Sequence, residues 1–104
     1  MSIASTVILI KSTAQRLAEI APGVTWYLFG SVLKEGSSPN DIDVLAVYTD
    51  DAHAPLIRDR IGELSVVPPI HLLLMRIDEE EEFRFCSGQN CIQVYPRDAF
   101  SSRK

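Results

Sequence analysis

The sequence predicts a small domain of the α/β or α+β class, in which helices pack on one side of a mixed β-sheet. The chain has 104 residues, which is enough for one hydrophobic core but too few for two domains. Hydrophobic residues make up 46%, as is typical of globular proteins. Helical and strand patterns alternate along the whole chain without a linker, repeat or low-complexity segment. We therefore predict a single domain over residues 1–104, with the order helix, strand, strand, helix, strand, helix, strand.

The first segment of the chain predicts a helix followed by a strand. Apolar residues recur every three or four positions, which indicates an amphipathic helix over residues 2–20, and Pro22-Gly23 ends it. The β-branched and aromatic run over 24–29 predicts the first strand. A short helix over 31–35 follows, and the Gly, Ser, Pro and Asn residues after it predict a loop.

The middle of the chain contains the clearest strand, over residues 42–48. Beyond its first residues both of its faces are apolar, which predicts a central position in the sheet. The next element is a helix, because Pro55 can occupy a first helical turn and an apolar stripe at helical spacing follows it. Pro68-Pro69 ends this helix.

The last third predicts a strand, a helix and a final strand. The third strand covers 70–77, and Asp78 then provides an N-cap, with Glu81 at the capping-box position. Negative charge in the first turn of this helix is favoured by the helix dipole. The final strand covers 91–95, and Pro96 ends it.

Composition excludes several classes of function. The net charge is −4 and the ten basic residues are scattered, so binding to a long nucleic acid is not predicted. No apolar stretch approaches the roughly 20 residues that cross a bilayer, and the N-terminus lacks the cleavage pattern of a signal peptide. Cys86 and Cys91 do not form a C-x-x-C pair, which favours two reduced thiols in a cytoplasmic protein without a membrane anchor.

The segment 29–43 carries most of the functional information. Asp41 and Asp43 stand on either side of Ile42, where the second strand begins. Because side chains alternate along a strand, both carboxylates should project to one side and Ile42 to the other. Two carboxylates that meet at one point are suited to a hard cation such as Mg²⁺.

Gly30 and Ser31 come at the end of the first strand, and nine residues separate Ser31 from Asp41. Gly30 has no Cβ, so backbone and a phosphate group could approach closely there, and Ser31 would add a hydroxyl and a backbone N–H. A Gly-Ser pair alone is common in turns, and an Asp-x-Asp alone could be a solvated strand end or part of a calcium loop. Together at this spacing they favour phosphate and metal binding at one site.

This pattern resembles the DNA polymerase β nucleotidyltransferase superfamily, in particular the small stand-alone domains called minimal nucleotidyltransferases. The resemblance rests on Phe29-Gly30-Ser31, a gap of nine residues, and Asp41-Ile42-Asp43 leading into a strand. It implies a mixed sheet with the site at its edge, and metal-dependent transfer of a nucleoside monophosphate from a nucleoside triphosphate to a hydroxyl. The expected cofactor is Mg²⁺ or Mn²⁺, the expected triphosphate is ATP, and the acceptor would be a small molecule or a protein. The resemblance also suggests a homodimer or a protein partner that completes the pocket.

The chain departs from the family pattern at the third acidic position. The residue that best matches it is His71, which could act as a base but is a poor ligand for Mg²⁺. An equally good interpretation is a partly buried histidine bonded to a neighbour. Asp78 and the glutamates after it are too far along the third strand to replace the missing acid. Two functions therefore stay open: an active nucleotidyltransferase that uses Asp41, Asp43 and His71, or a catalytically impaired, antitoxin-like module that binds a nucleotide or a partner.

Overall fold

A computed structural model describes residues 3–33, 41–65 and 69–96 of the chain. The predicted loop before Asp41 lies outside these residues. The described part contains four helices, four strands and a short 3₁₀ turn: α1 (Ile3–Leu17), β1 (Thr25–Phe29), the 3₁₀ turn (Gly30–Leu33), β2 (Ile42–Tyr48), α2 (His53–Gly62), β3 (Ile70–Arg76), α3 (Ile77–Phe83), α4 (Phe85–Gln89) and β4 (Ile92–Tyr95).

The four strands form one mixed sheet in the order β3-β2-β1-β4. β1 runs antiparallel to both of its neighbours, β2 and β4, while β2 and β3 are parallel and joined through α2. β2 therefore has a partner on each side, as its apolar sequence predicts. The predicted fold class, a small mixed sheet with packed helices, is confirmed.

The main core lies between one face of the sheet and the two longer helices. α1 contributes buried residues three or four positions apart, because this spacing places them on one side of a helix. Alternate residues of β1 and β2 face them, and α2 adds two isoleucines to the same cluster. Burying side chains of this size typically contributes about 1.5–3 kcal/mol each. The central members are Ile10, Leu17, Trp26, Leu28, Ile42, Val44, Ile57 and Val94.

The opposite face of the sheet carries the other set of alternating residues. Tyr27 and Phe29 of β1 stand directly opposite Leu45 and Asp43 of β2. Leu45 is fully buried, and Phe85 at the start of α4 makes an edge-to-face ring contact with Phe29, with centroids 5.0 Å apart. This second face is therefore partly covered near α4 and carries Asp43 at the beginning of β2.

The predicted cap of the third helix is wrong. The strand ends at Arg76 and the helix begins at Ile77, so Arg76, with an extended backbone, occupies the N-cap position in place of Asp78. Glu79, rather than Glu81, closes the first turn by accepting the Arg76 backbone N–H at 2.8 Å. The helical segment is also divided, because Arg84 adopts a left-handed conformation with φ 53° between α3 and α4.

Within the described ranges, no helix is both long enough and apolar enough to pass through a lipid bilayer.

Candidate metal centre

Asp43 is placed by the pairing of β2 with both of its neighbours. It stands opposite Phe29 at the end of β1 and opposite His71 near the start of β3. Residues in direct register project to the same face of a sheet. The topology therefore brings His71, 28 residues away in sequence, beside Asp43 on the second face.

Asp41, Asp43 and His71 form one group of potential metal ligands. Asp41 directly precedes β2, and one ligand atom from each of the three residues lies within 4.8 Å of the others. The two carboxylates thus converge on one side of Ile42, as the spacing predicts, while Ile42 is fully buried in the core. The donor set is two carboxylates and one imidazole, which together can hold a divalent cation.

The His71 ring makes a direct contact with Asp43. Its Nδ1 lies 3.0 Å from Asp43 Oδ1, and the His71 side chain is 65% exposed whereas that of Asp43 is 18% exposed. When Nδ1–H donates to the carboxylate, Nε2 is left as a hydrogen-bond acceptor. The histidine is thus bonded to a neighbour, as one interpretation proposed, but it is exposed rather than partly buried.

Gly30 is the first residue after β1 and lies against Asp43 from the other side. Its φ is +77°, in the left-handed region that glycine adopts readily. A Cβ at this position would overlap Asp43 Oδ2 and lie 3.3 Å from Asp43 Cγ. The close approach that Gly30 permits is therefore with a carboxylate of the metal group, and contact with a phosphate stays a prediction. Ser31 follows in the 3₁₀ turn.

The acidic residues after β3 do not join this group. Asp78 lies in the first turn of α3, two residues after the end of β3, whereas His71 is near the beginning of that strand. Arg76 donates from Nε to Asp78 Oδ1 at 3.1 Å and also pairs with Asp51. The bond to Arg76 lowers the pKa of Asp78, and the carboxylates of Asp51 and Asp78 together raise the pKa of Arg76. These charges form a separate surface network, which agrees with the prediction that they cannot supply the third ligand.

A cluster of titratable side chains near α4 was not predicted from the sequence. Tyr27 on β1 lies near Cys86 and Glu80, and Cys86 donates its backbone N–H to Glu80 Oε2 at 3.1 Å. Burial, with smaller effects from Cys91 and Glu80, raises the pKa of Cys86 to about 12, and burial raises that of Tyr27 to about 12. Both cysteines are free and half-buried. No local sequence pattern predicts this cluster, because α4 and β1 lie close together only in the tertiary fold.

A groove of about 650 Å³ lies between α2 and β3. Its strand residues, Ile70, Leu72 and Leu74, alternate with His71 and therefore face the main core rather than the metal group. The candidate centre is thus on the opposite face of the sheet, where the His71 side chain is 65% exposed.

Comparison with known proteins does not identify the chain: no protein-family model matches it, and no match was found among curated proteins or solved structures.

Proposed function

We propose that this chain is a nucleotidyltransferase-like domain that binds a divalent cation and a nucleoside triphosphate, and transfers a nucleoside monophosphate to a hydroxyl group. The observation that carries the proposal is the convergence of Asp41 and Asp43 next to the Gly30 turn. The sequence motif and its resemblance supply the reaction class, and the geometry supports the cation site on which that reaction depends.

Each residue has a defined role in this proposal. Asp41 and Asp43 hold the cation. Gly30 has no Cβ and therefore leaves the space that the Asp43 carboxylate occupies. The backbone of Gly30 and Ser31 is assigned to the triphosphate, because this turn begins where β1 ends beside Asp43. When bound, Mg²⁺ or Mn²⁺ would neutralise charge on the phosphates and orient them. A second copy of the chain or a protein partner would contribute the rest of the acceptor pocket.

The direct test is transfer of label from ATP carrying α-phosphate label, measured with Mg²⁺ and separately with Mn²⁺. The wild-type chain should label an acceptor or release pyrophosphate, and the double variant Asp41→Ala/Asp43→Ala should lose this activity. Asp59→Asn is the matched control, since it also removes negative charge but lies at an exposed position on α2. Equal activity in the double variant and the wild type would refute the proposal.

One observation favours a second candidate function, a nucleotide- or partner-binding module without turnover. The third position of the group is the imidazole of His71 rather than a carboxylate. In this case calorimetry should detect metal-dependent binding of ATP while the label stays on the nucleotide. His71→Asp separates the two candidates, because a gain of transfer activity would show that the fold is competent and that only the third acid is missing.

A further inference from the structure

We propose that Asp41, Asp43 and His71 form a mixed nitrogen–oxygen centre that binds Mn²⁺ and related transition-metal ions in preference to Mg²⁺, with His71 as a direct ligand. The proposal rests on the cation site of the proposed function, but it does not require nucleotidyl transfer. It concerns which ion the chain selects, and it can hold even if the domain has no catalytic turnover.

The distance between His71 and Asp43 fits direct ligation. Ligand bonds to ions of this class are about 2.1 Å long, so two ligands at a right angle around one ion are about 3.0 Å apart. The observed separation of His71 Nδ1 and Asp43 Oδ1 is 3.0 Å. The hydrogen bond uses the tautomer with the proton on Nδ1, and ligation through Nδ1 uses the neutral tautomer with the proton on Nε2. A change of tautomer therefore replaces the hydrogen bond by a shared cation with little movement of either side chain. The ligand atom of Asp41 lies within 4.8 Å of both, which makes it the candidate for a third position on the same ion.

The surrounding structure holds these donors in position. Asp43 is confined on both sides, because Oδ2 lies against Gly30 while Oδ1 faces His71. His71 is fixed by the parallel register of β2 and β3, in which it stands opposite Asp43. Its neighbours Ile70 and Leu72 pack against the main core, so a slip of one residue would turn them outward and the imidazole inward. The packing of Ile70 and Leu72 against the core thus keeps a nitrogen donor beside the two carboxylates.

The chemistry of this donor set determines the preferred ion. Mg²⁺ is a hard cation that favours oxygen ligands and gives up water reluctantly, so replacing one carboxylate by imidazole weakens its binding. Mn²⁺ accepts oxygen ligands and also binds imidazole, and later transition metals favour nitrogen more strongly. A site with two carboxylates and one imidazole should therefore discriminate against Mg²⁺ compared with the same site built from three carboxylates.

The test measures Mn²⁺ and Mg²⁺ binding to the untagged full chain without any nucleotide. The electron paramagnetic resonance signal of free Mn²⁺ reports its binding, and displacement by Mg²⁺ gives the ratio of the two affinities. His71→Asp is the matched variant with an all-oxygen donor set. We expect the preference for Mn²⁺ over Mg²⁺ to fall by about tenfold or more in His71→Asp. His71→Asn, which removes the imidazole without adding charge, should weaken Mn²⁺ binding.

A spectroscopic measurement shows whether the imidazole is a ligand. Electron spin echo modulation of the Mn²⁺-loaded wild type should contain coupling to a directly bound ¹⁴N nucleus, and this coupling should disappear in His71→Asp, which retains His53. Absence of the ¹⁴N coupling in the wild type, or an unchanged Mn²⁺/Mg²⁺ ratio in His71→Asp, would overturn the inference. Nitrogen coupling in a protein that fails to transfer label would support the inference while refuting nucleotidyl transfer.

Discussion

Replacing Gly30 with alanine should damage both the stability of the domain and its candidate metal centre. Gly30 has φ +77°, a conformation that costs an L-residue about 1–2 kcal/mol. The new Cβ would also overlap Asp43 Oδ2 and lie 3.3 Å from Asp43 Cγ, so the carboxylate must rotate away. Because the neighbouring atoms belong to a metal ligand rather than to an inert side chain, the two effects should appear together.

The magnitude follows from these contacts. Forcing the Asp43 side chain off its rotamer costs of order 0.5–1.5 kcal/mol, and loss of its contact with His71 about 0.5–1.5 kcal/mol. Added to the backbone cost of about 1–2 kcal/mol, these terms should lower the free energy of unfolding by about 2–5 kcal/mol. For a domain of this size, each kcal/mol corresponds to a decrease in Tm of about 4–8 °C. Mn²⁺ affinity should fall by about tenfold or more, since ligands displaced from their geometry bind poorly.

Urea denaturation and Mn²⁺ titration measure the two effects. Gly62→Ala is the control, because a Cβ at the end of α2 would meet nothing within 4 Å, so stability should be unchanged or slightly increased. In an Asp43→Ala background, Gly30→Ala should lower the free energy of unfolding only by the backbone cost of about 1–2 kcal/mol, since the Asp43 carboxylate is absent. An additive double-mutant cycle, or unaltered Mn²⁺ affinity in Gly30→Ala, would show that Gly30 and Asp43 are not coupled as the structure indicates.

Two further predictions concern groups with shifted pKa values. Burial raises the pKa of Cys86 to about 12, so at about pH 8 only about one thiol in 10⁴ is ionised. Iodoacetamide reacts with the thiolate, so it should alkylate Cys86 about 100-fold or more slowly in the native chain than in urea. Comparable rates in the two conditions would contradict this prediction. The bond to Arg76 lowers the pKa of Asp78 below its ordinary value of 3.8. The contribution of this bond to the stability of the fold is therefore fully present above pH 3.8, and it is lost as the pH falls through the lower pKa of the folded state. Arg76→Gln should therefore lose less stability than the wild type between about pH 5 and pH 2 in urea denaturation, and equal losses would refute this.

The parts of the site that were predictable from sequence are those set by short-range geometry. Strand alternation alone requires Asp41 and Asp43 to share a side once Ile42 is assigned to the core. The assignment of His71 to the third position of the group also came from the sequence, but only through the resemblance of the motif to a known family. Its placement opposite Asp43 depends on the register of β2 and β3, which no local pattern of the chain determines.

The features that sequence did not predict depend on contacts between distant residues or on competition between neighbouring ones. Asp78 is a good N-cap residue, but β3 ends two positions earlier at Arg76, and Glu79 is then at the right place to accept its backbone N–H. The contact of Phe85 with Phe29 on β1 requires α4 to pack against the sheet, so it depends on the tertiary fold. Local propensity carries no information about either outcome.

The candidate centre and the hydrophobic core depend on one register. Ile42, Val44 and Ala46 are fully buried on one face of β2, so the alternation that places them there also places Asp43 on the other face. A slip of β2 by one residue would bury the Asp43 carboxylate among apolar side chains and move Ile42 to the face that carries the ligands, at a high cost in free energy. Any state that keeps this face of β2 in the core and the observed registers with β1 and β3 therefore also presents Asp43 beside Gly30 and His71. A slip by one residue cannot remove this geometry without a cost to the core, so substitution of the ligands themselves is the direct way to remove the site without unfolding the chain.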